Sequence, residues 1–499
     1  MTSATVSLSA LPPPLWIPPS PLPAQLAREQ FSLLEGWLCS PGALNLPLHL
    51  VEQEQQHKDR EVQRLLLQAH VLRRGDGDVG PAIQSGSAGA TVVYSHRRNQ
   101  QRSLKTIFGT IEITRIGYGR HGAQSIHPLD EAMQLPKRCF SYELQKRLVK
   151  AAVQGPFRES TERLLDATGQ SVPKRCLEQI LQDAAIDFDD FYAQSSPLPA
   201  SPDSILVAAV DGKGIPMIRP GNTSRAGRPA KTEKNNRKKM ATVAAVFSRQ
   251  PWVRTPQQVV DSLFRTDSKA VTGQVPPPRP ENKRVWASLM KDKAAVIDQV
   301  VEEVQRRDPD SRQIHVALTD GERALQILVD NKLKATLILD LLHVLEKVWK
   351  AAHVFHPEGS PDAEIYARLM TLRILEGNSP QVVKGLRQTV TKRKLFGAKR
   401  KALLAAANYF DNNRDRMRYD LYLAQGLPIA SGSVEGACKN LIKDRMERSG
   451  MRWTQSMAEA VVKLRATYLS GDFDAYWQFH IEREQSRLYP PGRWTVVVK

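Results

Sequence analysis

Two apolar runs that each stop on an aspartate constrain this chain more than any other feature. Ile205-Leu-Val-Ala-Ala-Val210 contains no polar residue and ends directly on Asp211. Ile314-His-Val-Ala-Leu-Thr319 is nearly as apolar and ends on Asp320. Short, β-branched runs without alternation are strands buried on both faces, and such strands belong to a sheet covered by helices on each side. The carboxyl edge of that kind of sheet is where α/β folds place their ligands. A single aspartate there is ordinarily a turn or cap residue, and Asp211-Gly212 and Asp320-Gly321 both read as turn dipeptides. Two of them on neighbouring strands would repel each other unless a cation lay between, so the pair says more than either member.

The surrounding pattern completes a mixed α/β domain. Met240 to Phe247 reads as a second strand and Trp252 to Val260 as a third. The Pro-rich stretch 275–280 precedes a helix over about Lys283 to Arg306, and a helix over 322–330 leads to a strand Ala335 to Leu339 that closes on Asp340. From Leu341 to about Leu423 the chain is helical throughout and becomes basic near 392–418, the pattern of a helical insertion.

Upstream, residues 1–27 read as a flexible Pro-rich leader. From about Leu50 to Arg73 the apolar residues recur at helical spacing among Glu, Gln, Lys and Arg, an amphipathic helix. Gly75 to Ala90 reads as a loop, and Thr91 to Tyr118 as strands decorated by Arg97, Arg98, Arg102, Lys105 and Arg115, a basic β unit able to grip a phosphate backbone. Residues 141–192 are helical. There a helix ending at Gly169 precedes a second one, capped by Ser171, whose first turn holds Pro173, Lys174 and Arg175. That is a helix-turn-helix pattern with a basic N-terminal turn, although plain helical hairpins share it. Ser195 to Asp203 is a linker. The expected divisions are a leader and amphipathic helix (1–90), a DNA-binding region (91–194), the first part of the core (204–340), the helical insertion (341–428) and the completion of the core (429–499).

Charge narrows the partner. Across 499 residues, 71 Lys and Arg face 52 Asp and Glu, a net +19, and a surplus of that size favours a polyanion through counterion release. Nine of the basic residues fall between 213 and 239: Lys213, Arg219, Arg225, Arg228, Lys231, Lys234, Arg237, Lys238 and Lys239, against Glu233 alone. Because this stretch leaves the strand that bears Asp211, phosphate contact is a better reading than a merely solvated loop. Cys39, Cys139, Cys176 and Cys438 are too dispersed for a zinc finger or a disulfide framework and suit a reducing compartment. No apolar run spans a membrane and the Pro-rich start lacks the features of a signal peptide, so a cytoplasmic, nucleoid-associated protein is expected.

Oxygen ligands at such an edge suit Mg²⁺, or Mn²⁺ in its place. Two ions about 4 Å apart can activate an attacking oxygen and stabilise a leaving one in phosphoryl transfer. A third carboxylate normally completes the set. Spacing leaves Glu435, Asp444 and Glu447 level for that role. Asp340 and His343 stand near the inferred site. His343 could contact a phosphate or orient an acid, or be a helix-start histidine in an ordinary hydrogen bond; Asp340 could equally be an N-cap.

Val210-Asp211-Gly-Lys-Gly-Ile-Pro-Met217, Leu318-Thr-Asp320-Gly-Glu-Arg-Ala-Leu325 and Ser431-Gly-Ser-Val-Glu435-Gly-Ala-Cys-Lys-Asn440 resemble the DDE motifs of bacterial insertion-sequence transposases of the ISKra-type group, distantly similar to Mutator-like elements. Leu339-Asp340-Leu-Leu-His343-Val and Ser449-Gly-Met-Arg-Trp453 extend the resemblance, which covers about Leu104 to Leu464. It implies an RNase H-like mixed sheet, with the first aspartate on strand one and the second after strand four. Its glutamate, here Glu435, would lie on a helix beyond an all-helical insertion, with the whole core preceded by a mostly helical DNA-binding region containing a small β unit. Asp211, Asp320 and Glu435 would then be catalytic and hold two Mg²⁺ or Mn²⁺ ions. The implied activity is hydrolysis at each element end and attack of the freed 3′-hydroxyl on target DNA. Element-end and target DNA would be partners, synapsis of two ends would require a homodimer or larger assembly, and no membrane is involved. Beyond Glu435, Lys439, Lys443, Arg445, Arg448 and Arg452 could track DNA, and Trp453 could stack on a base, although a core tryptophan is the commoner fate. Two other readings stay open: another RNase H-like nuclease or resolvase, and a non-enzymatic DNA-binding regulator.

Overall fold

The structure, a computed structural model, describes residues 22–86, 92–197, 201–218, 238–264, 276–430, 432, 436 and 438–497. It is a mixed α/β protein with several sheets and many helices, and it divides into two compact units: residues 1–187 with 474–499, and residues 188–473. The C-terminal stretch from Asp474 thus groups with the first unit instead of completing the core.

In the first unit, helix Leu22–Leu38 occupies sequence read as leader; Pro23 is tolerated because it sits in the first turn, where its missing N–H has no helical acceptor. The rest of that leader, residues 1–21, lies outside the described residues. Helix Leu48–Arg73 follows. The stretch read as a loop contains a strand, β1 (Ile83–Ser85), which pairs antiparallel with β2 (Val92–Tyr94) and with the C-terminal strand Thr495–Val496. β3 (His96–Thr106) and β4 (Gly109–Arg120) form a long hairpin, joined by β5 (Ala123–Ile126). Alternation sets its faces: Ile111 and Ile113 are buried against Val71, Leu104, Leu129 and Leu135, while Glu112 between them is exposed.

Three helices of this unit, Tyr142–Ala152, Phe157–Thr168 and Lys174–Ala184, include the helix-turn-helix pair. Gly169 closes the first of the pair at φ 69°, a conformation that favours glycine. Ser171 does not cap the second. That helix begins at Lys174 behind Pro173 with no side-chain cap, because Pro173 fixes an extended residue immediately before it.

The second unit is built on a five-stranded sheet in the order β10-β9-β6-β7-β8. Its strands are β6 (Ile205–Pro216), β7 (Lys238–Arg249), β8 (Glu281–Ser288), β9 (Ile314–Thr319) and β10 (Thr336–Leu339). β6, β7 and β8 form an antiparallel meander, whereas β9 runs parallel to β6 and β10 parallel to β9. β6 is buried from Ile205 to Val210 and β9 from Val316 to Thr319, as continuous apolar strands inside a sheet require, while Ile314 at the start of β9 is exposed.

Two readings of this unit need correction. Residues 252–260 contribute no strand. Trp252 N–H donates to Gly426 O at 2.9 Å, and Thr255 then opens helix Pro256–Leu263 through a reciprocal capping box with Gln258. The third strand is β8, in sequence read as the start of a helix. Its polar members mislead: Arg284 is buried against Glu303 of helix Lys293–Arg307, and Ser288 donates to buried Glu459 at 2.8 Å.

After β10 come helices Leu341–Ala352, Pro361–Leu375, Ser379–Lys392, Gly397–Asn413 and Tyr419–Ala424, the expected helical insertion. The chain returns to the sheet where Leu341 N–H donates to Ile429 O at 2.9 Å. It continues through a π-helical segment, Cys438–Lys443, and a short turn, Asp444–Met446, to helix Gln455–Ser470. Among the described residues no helix is long and apolar enough to cross a membrane.

Candidate active site at the carboxyl edge of the second unit's sheet

Register brings the aspartates together. Val210 pairs with Thr319, and Thr319 with Leu339, across three parallel strands. Asp211, Asp320 and Asp340 each follow directly, so they line one edge in adjacent strands. Neighbouring strands are about 4.8 Å apart, close enough for the charges to interact. The carboxyl of Asp320 is pushed above its usual range, first by burial and also by the negative charge of Asp211; the amide of Glu322 and the nearby His343 act in the opposite sense.

The three differ in what they have left to offer. Asp340 is buried and its Oδ1 accepts from Leu342 N–H at 2.9 Å, capping helix Leu341–Ala352. Asp211 is partly exposed; its Oδ1 accepts from Gly212 N–H at 2.6 Å and its Oδ2 from the Cys438 thiol at 3.1 Å. Asp320 accepts from Glu322 N–H at 2.9 Å through Oδ1. No described residue donates a hydrogen bond to its Oδ2. Two neighbouring carboxylates, one of them resisting ionisation and holding an uncommitted oxygen, are a donor set that fits a hard divalent cation.

Glu435 lies outside the described residues, and so do Arg219, Arg225, Arg228, Lys231, Lys234 and Arg237. Among the described residues no group of three or more His, Cys, Asp or Glu side chains is arranged to hold a metal. Cys438, three positions beyond Glu435, nevertheless touches Asp211, so the end of the glutamate motif reaches this edge.

Lys213 and Lys239 are half-buried on β6 and β7, and Lys238 is ion-paired with Glu447. Lys439, Lys443 and Arg452 are exposed. Lys174 and Arg175 are exposed in the first unit, Lys174 lying 3.7 Å from Glu178. Arg445 and Trp453 are corrected. Both are buried: the Trp453 Nε1–H donates to Met446 O at 2.8 Å, and the Arg445 guanidinium lies 4.9 Å from the Trp453 ring centre. Burial leaves that ring no open face for a base. The backbone explains why, since Trp453 N–H donates to Pro216 O and Trp453 O accepts from Ile218 N–H, extending the end of β6.

Two participants carried no signal in the sequence. Tyr409, on helix Gly397–Asn413, packs so closely over Gly321 that a Cβ there would lie 2.3 Å from the ring. Buried Gln326 donates to the carbonyl of Asp320 at 2.9 Å and to Asn413 Oδ1 at 3.0 Å. The helical insertion is thereby fastened to the loop that carries Asp320.

No protein-family model matches this chain, and no curated protein matches it. One solved structure to which it has a likeness is the Drosophila P element transposase strand transfer complex. The likeness is 10% identical in sequence, covers 68% of this chain and 81% of that one, and has a TM-score of 0.23. A likeness at that score carries no argument about fold or function.

Proposed function

We propose that the chain is a metal-dependent DNA transposase of the insertion-sequence DDE kind, its second unit an RNase H-like core. The observation that carries the proposal is the placement of Asp211 and Asp320 one residue beyond the paired positions Val210 and Thr319, side by side, with the charge of Asp211 helping to hold the Asp320 carboxyl above its usual range. The sheet order, an antiparallel meander followed by two parallel strands on the other side of β6, agrees with an RNase H-like arrangement. The motifs around the three acids suggest the ISKra-type group.

Asp211, Asp320 and Glu435 would hold Mg²⁺ or Mn²⁺, and two such ions supply activation of the attacking oxygen and stabilisation of the leaving oxygen. The protein's own groups position that chemistry. Gly212 N–H and the Cys438 thiol fix the Asp211 carboxylate, and Glu322 N–H fixes that of Asp320. His343, whose positive form favours an ionised Asp320, is placed to answer a phosphate or that acid. Lys213, Lys239, Lys439, Lys443 and Arg452 supply backbone-phosphate contacts, and Lys174 and Arg175 read the element end from the helix-turn-helix. Synapsis of two ends calls for at least a dimer, working on the chromosome in the cytoplasm.

The test is Mg²⁺- or Mn²⁺-dependent cleavage of DNA carrying the element ends, comparing the wild type with Asp211→Asn, Asp320→Asn and Glu435→Gln. Each variant should bind the ends and fail to cut them. Full cleavage by any one variant removes that residue from the site.

A further inference from the structure

The sequence marked Arg102 and Arg115 as decoration on a basic β unit. In the structure they are recessed in a cavity of the first unit, about 580 Å³ in volume, between the β3–β4 hairpin and the C-terminal residues 487–493. Its cationic lining is Arg102, Arg115, Lys137, Arg487 and Arg493, with His127 beside them. Counter-charge is short. Arg102 (3.1 Å) and Arg115 both pair with the same oxygen of Asp130, the one acid among the described residues that line the cavity. Arg487 is engaged by Asp187 through two hydrogen bonds of 2.6 and 2.9 Å. Glu131 close by accepts from Trp494 Nε1–H at 2.7 Å. Arg102 also donates to the carbonyls of Pro136 and Arg138, and Arg493 to that of Leu488 at 2.9 Å. These contacts neutralise no charge, so Arg102, Arg115, Lys137 and Arg493 share Asp130 as the one acid among the described lining residues.

Arrangement and field agree. The Arg115 Nε–H and the Asp130 Oδ1 are both buried without a hydrogen-bond partner, so the pairing of Arg102 and Arg115 with one oxygen of Asp130 leaves donor capacity in the cluster unused. Burial, then the charge of Arg102, brings Arg115 down to about 10. Burial and the charges of Arg115, Arg102 and Arg493 hold His127 near 4, so it is neutral at pH 7 and adds no charge of its own. A cluster that only tied Asp130 in place would need one guanidinium, not several cations converging on one space. Guanidinium forks match phosphate oxygens in pairs.

We infer that this cavity binds a terminal phosphate group: a free phosphate or pyrophosphate, or the phosphate monoester at a DNA 5′ end. Recession selects the terminal kind. The Arg102 and Arg115 side chains are only 14% exposed, and an internal diester of a stiff duplex is flanked on both sides by sugar and cannot enter as a free end can. The dianion would complete the charge balance that Asp130 leaves open. The inference stands independently of the reading of the carboxylate site.

The test uses the full chain. Pyrophosphate binding is measured by titration calorimetry against sodium chloride of matched ionic strength. 5′-phosphorylated and 5′-hydroxyl single strands are compared in parallel. The variants are Lys137→Gln, which alters an exposed side chain that makes no hydrogen bond to a described residue, and Arg493→Gln, with Arg493→Lys as the charge-retaining control. Each Gln variant should weaken pyrophosphate binding about tenfold, the loss of one charge-assisted contact, with an unchanged melting temperature for Lys137→Gln; Arg493 also donates to Leu488 O, so its variant is read against Arg493→Lys. Discrimination between the two strands that Lys137→Gln abolishes identifies a DNA end as the source; pyrophosphate binding without discrimination identifies a free phosphate. No binding beyond the chloride control, or binding that neither Gln variant weakens, overturns the inference and leaves the cluster as a tether for Asp130.

Discussion

Replacing Asp320 with asparagine should make the metal-free protein more stable while abolishing its response to divalent cations. The repulsion can be sized from the register. Carboxylates on adjacent strand ends lie roughly 6 Å apart, which at an effective dielectric constant of about 20 is ~3 kcal/mol. Asp211 and Asp320 are both partly exposed, so solvent screening reduces this to roughly 1 kcal/mol. Asparagine keeps an oxygen to accept from Glu322 N–H, so no bond is lost to offset the gain. For a unit of this size about 1 kcal/mol corresponds to a rise of about 2–4 °C in melting temperature. Asp211→Asn should gain less, because both of its oxygens already accept from the protein and an amide N–H₂ would face one of those donors. The assay is thermal unfolding of the full chain at pH 7 in EDTA and again in Mg²⁺. A cation at 100 times its dissociation constant stabilises the wild type by about 2.7 kcal/mol, and Asp320→Asn should lose most of that increment. Should Asp320→Asn melt at or below the wild-type temperature in EDTA, or respond to Mg²⁺ as fully as the wild type, the two acids do not form a charge-repelled cation site.

Other perturbations probe other parts of the molecule. Asp187 is held near 2: burial pushes it up, but hydrogen bonds from His480 and Arg487 and their charges outweigh it. A depressed carboxyl contributes stability above its unfolded value near 4 and loses it as pH falls towards 2. Urea unfolding should therefore show wild type exceeding Asp187→Asn by roughly 2 kcal/mol at pH 6, a gap that narrows to under about 1 kcal/mol by pH 2.5 and closes only towards about pH 1; a constant gap would refute the ion-pair account. Gly321→Ala forces a Cβ into the Tyr409 ring and should cost about 1–3 kcal/mol as overpacking. Adding Tyr409→Ala should recover part of that cost in chemical denaturation, and strictly additive costs would separate the two residues. Trp453→Ala should cost about 3–5 kcal/mol as a core truncation; a stability change within about 0.5 kcal/mol together with weakened DNA binding would return the ring to a base-stacking role. Removing Lys174 and Arg175 should lower the salt slope of end binding by nearly 2, and an unchanged slope reassigns those helices to packing.

What the sequence disclosed of the sheet follows from where its polar groups find partners. β6, β9 and β10 are apolar at nearly every buried position, so their pattern alone marks them; Asp320 and Asp340 follow the last residues of β9 and β10, whereas β6 runs on past Asp211 to Pro216, paired with β7 alone. β8, the edge strand of the meander, hides its nature. Arg284 and Ser288 look solvated in a one-dimensional reading and are satisfied by Glu303 and Glu459 from two different helices. Trp252-Val-Arg erred the other way: an extended, apolar-looking stretch whose backbone bonds to residues 423 and 426 of the insertion instead of to a sheet. The helix Leu22–Leu38 was masked by prolines that matter only before its second turn.

The site divides along the same line, between what one strand carries and what separate segments bring to it. Asp211 and Asp320 were legible because strand-end geometry is local, and a two-residue motif on each of two parallel strands fixes their separation once the strands pair. Asp340 obeys the same geometry yet is consumed as a helix cap, so position at the edge is not by itself availability; the hydrogen bonds decide that. Cys438 and Tyr409 reach the two acids from segments distant in sequence, one beyond the insertion and one within it. The consequence is mechanical. Asp320 is held from its own loop by Glu322 N–H and from the insertion through Gln326, Asn413 and Tyr409, whereas Asp211 is held by Gly212 and by Cys438 of the segment that follows Glu435. A disturbance of the insertion should therefore misplace Asp320 before Asp211, and one in residues 438–446 should do the reverse. The two acids of one edge thus depend on segments that lie on either side of Glu435 in the sequence.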